Sequence, residues 1–166
     1  MRKVILTILT LVLILGLTLP MATPAAAHTE AAPFPTQLYA GQNIPVGEVN
    51  VWNDGTNLYV QFITEGGWQL VETNLAVATS LEGIPQTGSG NPKVGKFPYK
   101  DDPDGTYEIP LAWSAGTRLY IAAHAVVYNP CLDQEETAWA FYCNTWAFPG
   151  RNWATYFVYT VQDGGG

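Results

Sequence analysis

Positive charge is scarce in this sequence: seven Lys and Arg stand against fourteen Asp and Glu, a formal charge of −7. Nucleic acid and anionic lipid surfaces are held by Lys and Arg that displace counterions, so the balance argues against both as partners. Histidine is also rare, with His28 and His124 alone, which leaves little for general acid–base chemistry. There is no Gly-x-Ser-x-Gly elbow, no His-Glu-x-x-His and no glycine-rich phosphate loop opening a helix. The common nucleophilic, zinc-hydrolase and nucleotide-binding chemistries therefore have no motif here. After residue 19 no apolar stretch is long enough to span a bilayer.

What is present begins with a targeting pattern. Met1-Arg2-Lys3 is a short positive region, Val4 to Leu19 is almost wholly apolar, and Pro20 ends the run. Ala25-Ala26-Ala27 offers small residues at −3 and −1, so residues 1–27 read as a signal peptide cleaved between Ala27 and His28. The competing reading is an uncleaved N-terminal anchor. Removal of Arg2 and Lys3 leaves five basic against fourteen acidic side chains, as expected for a secreted, extracellular domain. Residues 28–36, rich in Ala and Pro, read as a flexible leader, and 163–166 as a Gly-rich tail. Residues 37–162 are enough for one domain.

Within that domain the patterns are those of strands. Leu119 to Val127 is the longest uncharged apolar run of the exported part, with β-formers at both ends, alanines between and one histidine among them. It reads as a central strand buried on both faces; a helix is the competitor, because its three alanines favour one. Gln37–Ala40 reads as a short edge strand, followed by Val46–Trp52, a hairpin turn at Asn53–Asn57 whose Asn and Gly tolerate positive φ, and Leu58–Ile63. Trp68–Thr79, Tyr107–Leu111 and Trp153–Val161 follow, with Pro110 best placed at an edge. Residues 80–104 form one long irregular segment, part of which should pack on the body through Phe97 and Tyr99. Seven or eight short strands without a convincing helix predict an all-β antiparallel β-sandwich, jelly-roll-like or Ig-like. Only Cys131 and Cys143 are available, and an even count in an oxidising compartment predicts one disulfide closing a stapled excursion.

Several segments carry a family likeness: Leu38–Gln42, Asn53–Val60, Glu72–Ala78, Ile84–Thr87, Gly90–Pro92, Lys96–Tyr99, Leu119–Val127, Glu136–Trp139 and Asn152–Phe157. Together they resemble a poorly characterised family of secreted microbial β-domains, found singly or attached to larger surface proteins. The likeness covers nearly all of residues 37–162 and implies an extracellular β-fold without an established activity. The position of Asn74 is often histidine in that family, so no metal role is carried over from it to this chain.

Three sets of residues are candidates for chemistry. Glu72 and Asn74 share a strand parity; with His124 and Glu136 they could converge on a divalent cation or a polar ligand, or form a structural polar network around a satisfied histidine. Asp101, Asp102 and Asp104 before Gly105 suit calcium coordination, yet lack the ligand order of a calcium loop, and a solvated turn is the simpler reading. Trp113, Trp139 and Trp146 are the aromatic candidates for stacking on a sugar ring, against the reading that they fill the core; Trp153, at the start of a strand, is expected in the core. The sequence thus predicts a non-enzymatic domain that binds at or outside the cell surface, with carbohydrate the favoured ligand and a structural or adhesive module packing against surface proteins as the rival. A hydrolase using Glu72 with Glu136 is the remaining alternative.

Overall fold

The computed structural model describes residues 26–102, 104–141 and 146–164. Most of the predicted signal peptide therefore lies outside the described residues, as does Cys143. Among the described residues there are ten strands and two single-turn 3₁₀ helices, and no α-helix. The strands are β1 (Phe34–Ala40), β2 (Ile44–Asn53), β3 (Asn57–Thr64), β4 (Gln69–Ala78), β5 (Tyr99–Lys100), β6 (Thr106–Pro110), β7 (Arg118–Asn129), β8 (Gln134–Phe141), β9 (Trp146–Ala147) and β10 (Thr155–Thr160). All pairings are antiparallel, in the order β5-β4-β7-β8-β1-β2-β3-β6, with β10 against β7 and β9. The fold is all-β and antiparallel, and its two facing layers belong to one sheet that curls nearly into a barrel.

β7 is the centre. β4 runs along one edge at Tyr120–Tyr128; the other edge is shared by β8 at His124–Asn129 and β10 at Arg118–Ile121. Its odd positions, Leu119, Ile121, Ala123, Ala125 and Val127, join an inner core with Leu38, Val49, Val51, Leu58, Val60, Leu75, Phe157 and Tyr159. Its even positions face outward, yet Ala122 and His124 are buried there too. Two inside faces explain why the run reads as continuously apolar rather than alternating.

The curl is nearly closed at a seam between β6 and β4. The Tyr107 and Thr73 hydroxyls share a hydrogen bond of 2.6 Å, and the Asp101 amide donates to the Thr73 carbonyl at 2.9 Å. At another point Asn53 ties the β2–β3 turn to the chain after β10. Its Oδ1 accepts from the Tyr159 hydroxyl and the Gln162 amide, both at 2.8 Å. β2 also makes a close approach at Gly47, where φ is +150° and a Cβ would stand 1.9 Å from the Ile63 carbonyl oxygen.

Several expectations need correction. β1 is an interior strand between β2 and β8, and it begins at Phe34, inside the predicted leader. The β2–β3 hairpin forms where expected, but Gly55 is not at positive φ. Asp54 closes the turn instead, its Oδ1 accepting from the Thr56 and Asn57 amides at 2.6 and 2.7 Å. The predicted excursion between the cysteines is the regular strand β8, and the predicted bridge is not formed: Cys131 is an exposed, free thiol in the β7–β8 turn. Eight residues of strand carry the chain roughly 26 Å away from that turn before residue 142. Bridged Cα atoms lie within about 7 Å of each other, a span that this strand far exceeds.

Candidate functional site

On the outer face of β4, β7, β8 and β1 the alternation leaves a second, smaller buried cluster. Ala76 and Ala122 are register partners, and their small side chains make a flat patch. Irregular chain can therefore lie close against it: Ile84 and Phe97 from the long segment after β4, and Phe148 and Ala154 from the segment around β9. Trp139 on β8 is the hub. Its ring meets His124 at 4.9 Å and 63°, Phe97 at 6.4 Å and Phe148 at 6.3 Å.

Beside Trp139 the surface opens into a cleft of about 170 Å³, lined by Tyr39, Trp139, Phe141 and Trp153 with Gln42 and Thr155. The register builds it. Tyr39 on β1 pairs with Trp139 on β8, and Phe141 follows two residues later on the same face. The Tyr39 and Phe141 rings meet edge to face at 5.8 Å and 88°. Gln42 sits in the tight β1–β2 turn at φ +76°, after Gly41 at +51°. A non-glycine residue held there at a polar rim position stores backbone strain, as functional sites commonly do. Phe141 is 46% exposed, so one wall is available to a ligand while Trp139 is packed beneath.

The aromatic candidates thus separate. Trp139 lines the cleft. Trp146 is exposed but lies elsewhere on this face, stacked on Tyr156 at 5.9 Å and 24°. Trp113 is half-buried against the inner core. Trp153 is half-buried, packed against the second cluster, and also lines the cleft. Tyr39 and Phe141 escaped sequence reasoning; their signal was parity with Trp139, legible only once residues 134–141 are taken as a strand.

The polar candidates separate as well. Asn74 and His124 are register partners, and Glu72 pairs with Val126 on the same face. Asn74 Nδ2 donates to Glu72 Oε1 at 2.6 Å. Glu136 pairs with Val127 and so projects from the opposite face. It lies against Gly41, with Gln134 Nε2 donating to it at 2.9 Å. This removes Glu136 from the set and ends the proposed Glu72–Glu136 hydrolytic pair. Burial pushes the His124 imidazole down to about 4, against a smaller opposing pull from the Glu72 carboxylate.

In the acidic turn, Asp101 Oδ1 accepts from the Thr73 amide at 3.3 Å. Asp102 Oδ1 accepts from the Asp104 and Thr106 amides at 3.1 and 3.2 Å. Those oxygens build the turn, and among the described residues no group of three His, Cys, Asp or Glu side chains is placed to hold a metal.

A more voluminous cleft, about 530 Å³, lies at another place and is walled by Ala27–Glu30 and Asp163–Gly164, over Trp52 and Tyr59. Those two rings stack at 5.1 Å and 10°. His28 packs against Phe34 at 5.4 Å and Tyr159 at 5.8 Å, and burial lowers its pKa. The predicted cleavage would remove Ala27 from this wall. The aromatic cleft is built wholly from residues of the folded body, and we take it as the candidate site. Compared with protein-family models, curated proteins and solved structures, the chain matches none of them.

Proposed function

We propose that this chain is a secreted, non-enzymatic β-domain that binds carbohydrate at or outside the cell surface through the cleft of Tyr39, Trp139, Phe141 and Trp153. One observation carries the reading: four aromatic side chains converge on a small open cleft whose rim holds the amide of Gln42 and the hydroxyl of Thr155. A sugar ring presents an apolar face that stacks on aromatic rings and hydroxyls that need polar partners at its edge. The acidic surface is no obstacle to a neutral polysaccharide, and the family resemblance supports the extracellular setting.

The test is a polysaccharide pull-down and glycan array with the processed protein, Phe141→Ala and Trp153→Ala. Phe141 is exposed, so its removal spares the core. Binding that falls at least tenfold in both variants supports the reading. Binding unchanged in both, or no glycan retained by the parent chain, rejects it.

A second reading has its own observation. Phe141 at 46% and Trp146 at 45% exposed are large apolar groups on the same outer face, as an adhesive module packing on a protein would present. Light scattering across concentration separates the two, because the adhesive reading expects assembly that Trp146→Ala abolishes.

A further inference from the structure

Buried polar atoms are almost always paired, and each exception calls for an explanation. Among the described residues four buried side-chain atoms have no partner, and two of them belong to one cross-strand pair: Asn74 Oδ1 and His124 Nδ1. Both residues are more than nine-tenths buried, at 1% and 7% exposure. Register partners on an antiparallel ladder bring their side chains together on one face, so these two orphans share a neighbourhood.

The third member is beside them. Asn74 Nδ2 donates to Glu72 Oε1 at 2.6 Å, which fixes the amide with its oxygen as the unpaired atom and leaves the second carboxylate oxygen of Glu72 uncommitted. Glu72 also lines an open cleft of about 180 Å³ with Asp101 and Asp102, a negative approach from solvent. Lys100, the other register partner of Asn74, lies on this face. Its ammonium is turned away, donating to the Gly95 carbonyl at 2.7 Å.

An imidazole nitrogen, an amide oxygen and a carboxylate oxygen form a mixed N/O donor set. We propose that Glu72, Asn74 and His124 form a binding site for one divalent transition-metal ion, on the outer face behind Trp139, separate from the aromatic cleft. Imidazole suits zinc, nickel and copper better than calcium or magnesium, and three protein donors leave a position for water. The imidazole must be neutral to ligate.

The experiment uses the untagged chain carrying His28→Ala, so that the other histidine cannot contribute, dialysed against a chelator and titrated with zinc chloride. Calorimetry is expected to give one site per chain. Nitrogen-15 spectra of the histidine side chain are expected to show the His124 Nδ1 resonance moving on zinc addition. Glu72→Gln, an exposed substitution, is expected to weaken binding at least tenfold while the metal-free melting curve stays in place. If that curve shifts, the Nδ1 resonance of the parent chain decides. A folded chain with no heat and an unmoved Nδ1 would mean a bridging water only, and zinc affinity indifferent to Glu72→Gln would place the ion elsewhere; either result overturns the proposal.

Discussion

The inner and outer faces of β7 are both buried, by different means. The inner face is covered by strands of its own curled sheet, with Leu, Val, Ile and Phe side chains at 0–3% exposure filling the space. The outer face is covered by irregular chain returning over an alanine patch, and its filling is mainly aromatic. Strand against strand satisfies every backbone group along a ladder and leaves aliphatic side chains to pack. A loop laid on a sheet satisfies polar groups piecemeal, which is why the unpaired atoms of Asn74 and His124 are found there. The inner face makes the fold, and the outer face carries both of the proposed sites.

The comparison is broken most directly by truncation. Ile121→Ala in the inner core is expected to cost about 2–5 kcal/mol, because closed strands cannot collapse into the cavity. Ile84→Ala, equally buried under the outer cover, should cost about half as much, because a loop can relax. Guanidinium unfolding of the two variants checks this; equal losses would show that the cover folds as part of the barrel.

pH separates the faces at opposite ends of the scale. In chelator-treated protein the His124 imidazole titrates near 4, below its ordinary 6.5, so the unfolded chain takes up a proton first. Stability is then full above about pH 6.5 and falls as pH drops toward 4, by up to about 3 kcal/mol. In the inner core, burial pushes the Tyr159 hydroxyl up to about 12, so the unfolded chain loses its proton first. Stability is full below about pH 10 and falls as pH rises toward 12, by up to about 3 kcal/mol. Thermal melts of His124→Gln and Tyr159→Phe should flatten the acid and alkaline limbs respectively.

The smallest effect sharpens the comparison at the cleft rim. Gln42→Gly relieves a residue held at φ +76° and is expected to raise stability by about 0.5–1 kcal/mol. The same change removes the rim amide and should weaken glycan binding. A variant both more stable and fully binding would show that the strain at Gln42 has no functional counterpart.

Much of the inner core was legible. Leu119–Val127 announced itself as the centre, Pro110 marked an edge, and Phe157, Tyr159 and Val161 fell on one parity facing inward. The outer site was only partly so. Trp139 and the Glu72, Asn74 and His124 set were nameable, but the cysteines suggested a staple that hid β8 and with it Tyr39, Trp139 and Phe141 as one surface. Glu136 was misplaced for the same reason, since its face depends on pairing opposite Val127. Trp153 looked like the first residue of a strand, and only the position of the chain just before β10 puts it at the cleft.

By itself the sequence determined an all-β chain and which residues of most strands point inward, because side-chain alternation is a local property written every second residue. Tertiary structure alone decided that β8 lies between β7 and β1, that loops roof the outer face, and that Glu72 keeps Asn74 and His124 while Glu136 does not. Those outcomes rest on register between strands far apart in the chain, where a one-residue shift exchanges the faces and no local pattern records the choice.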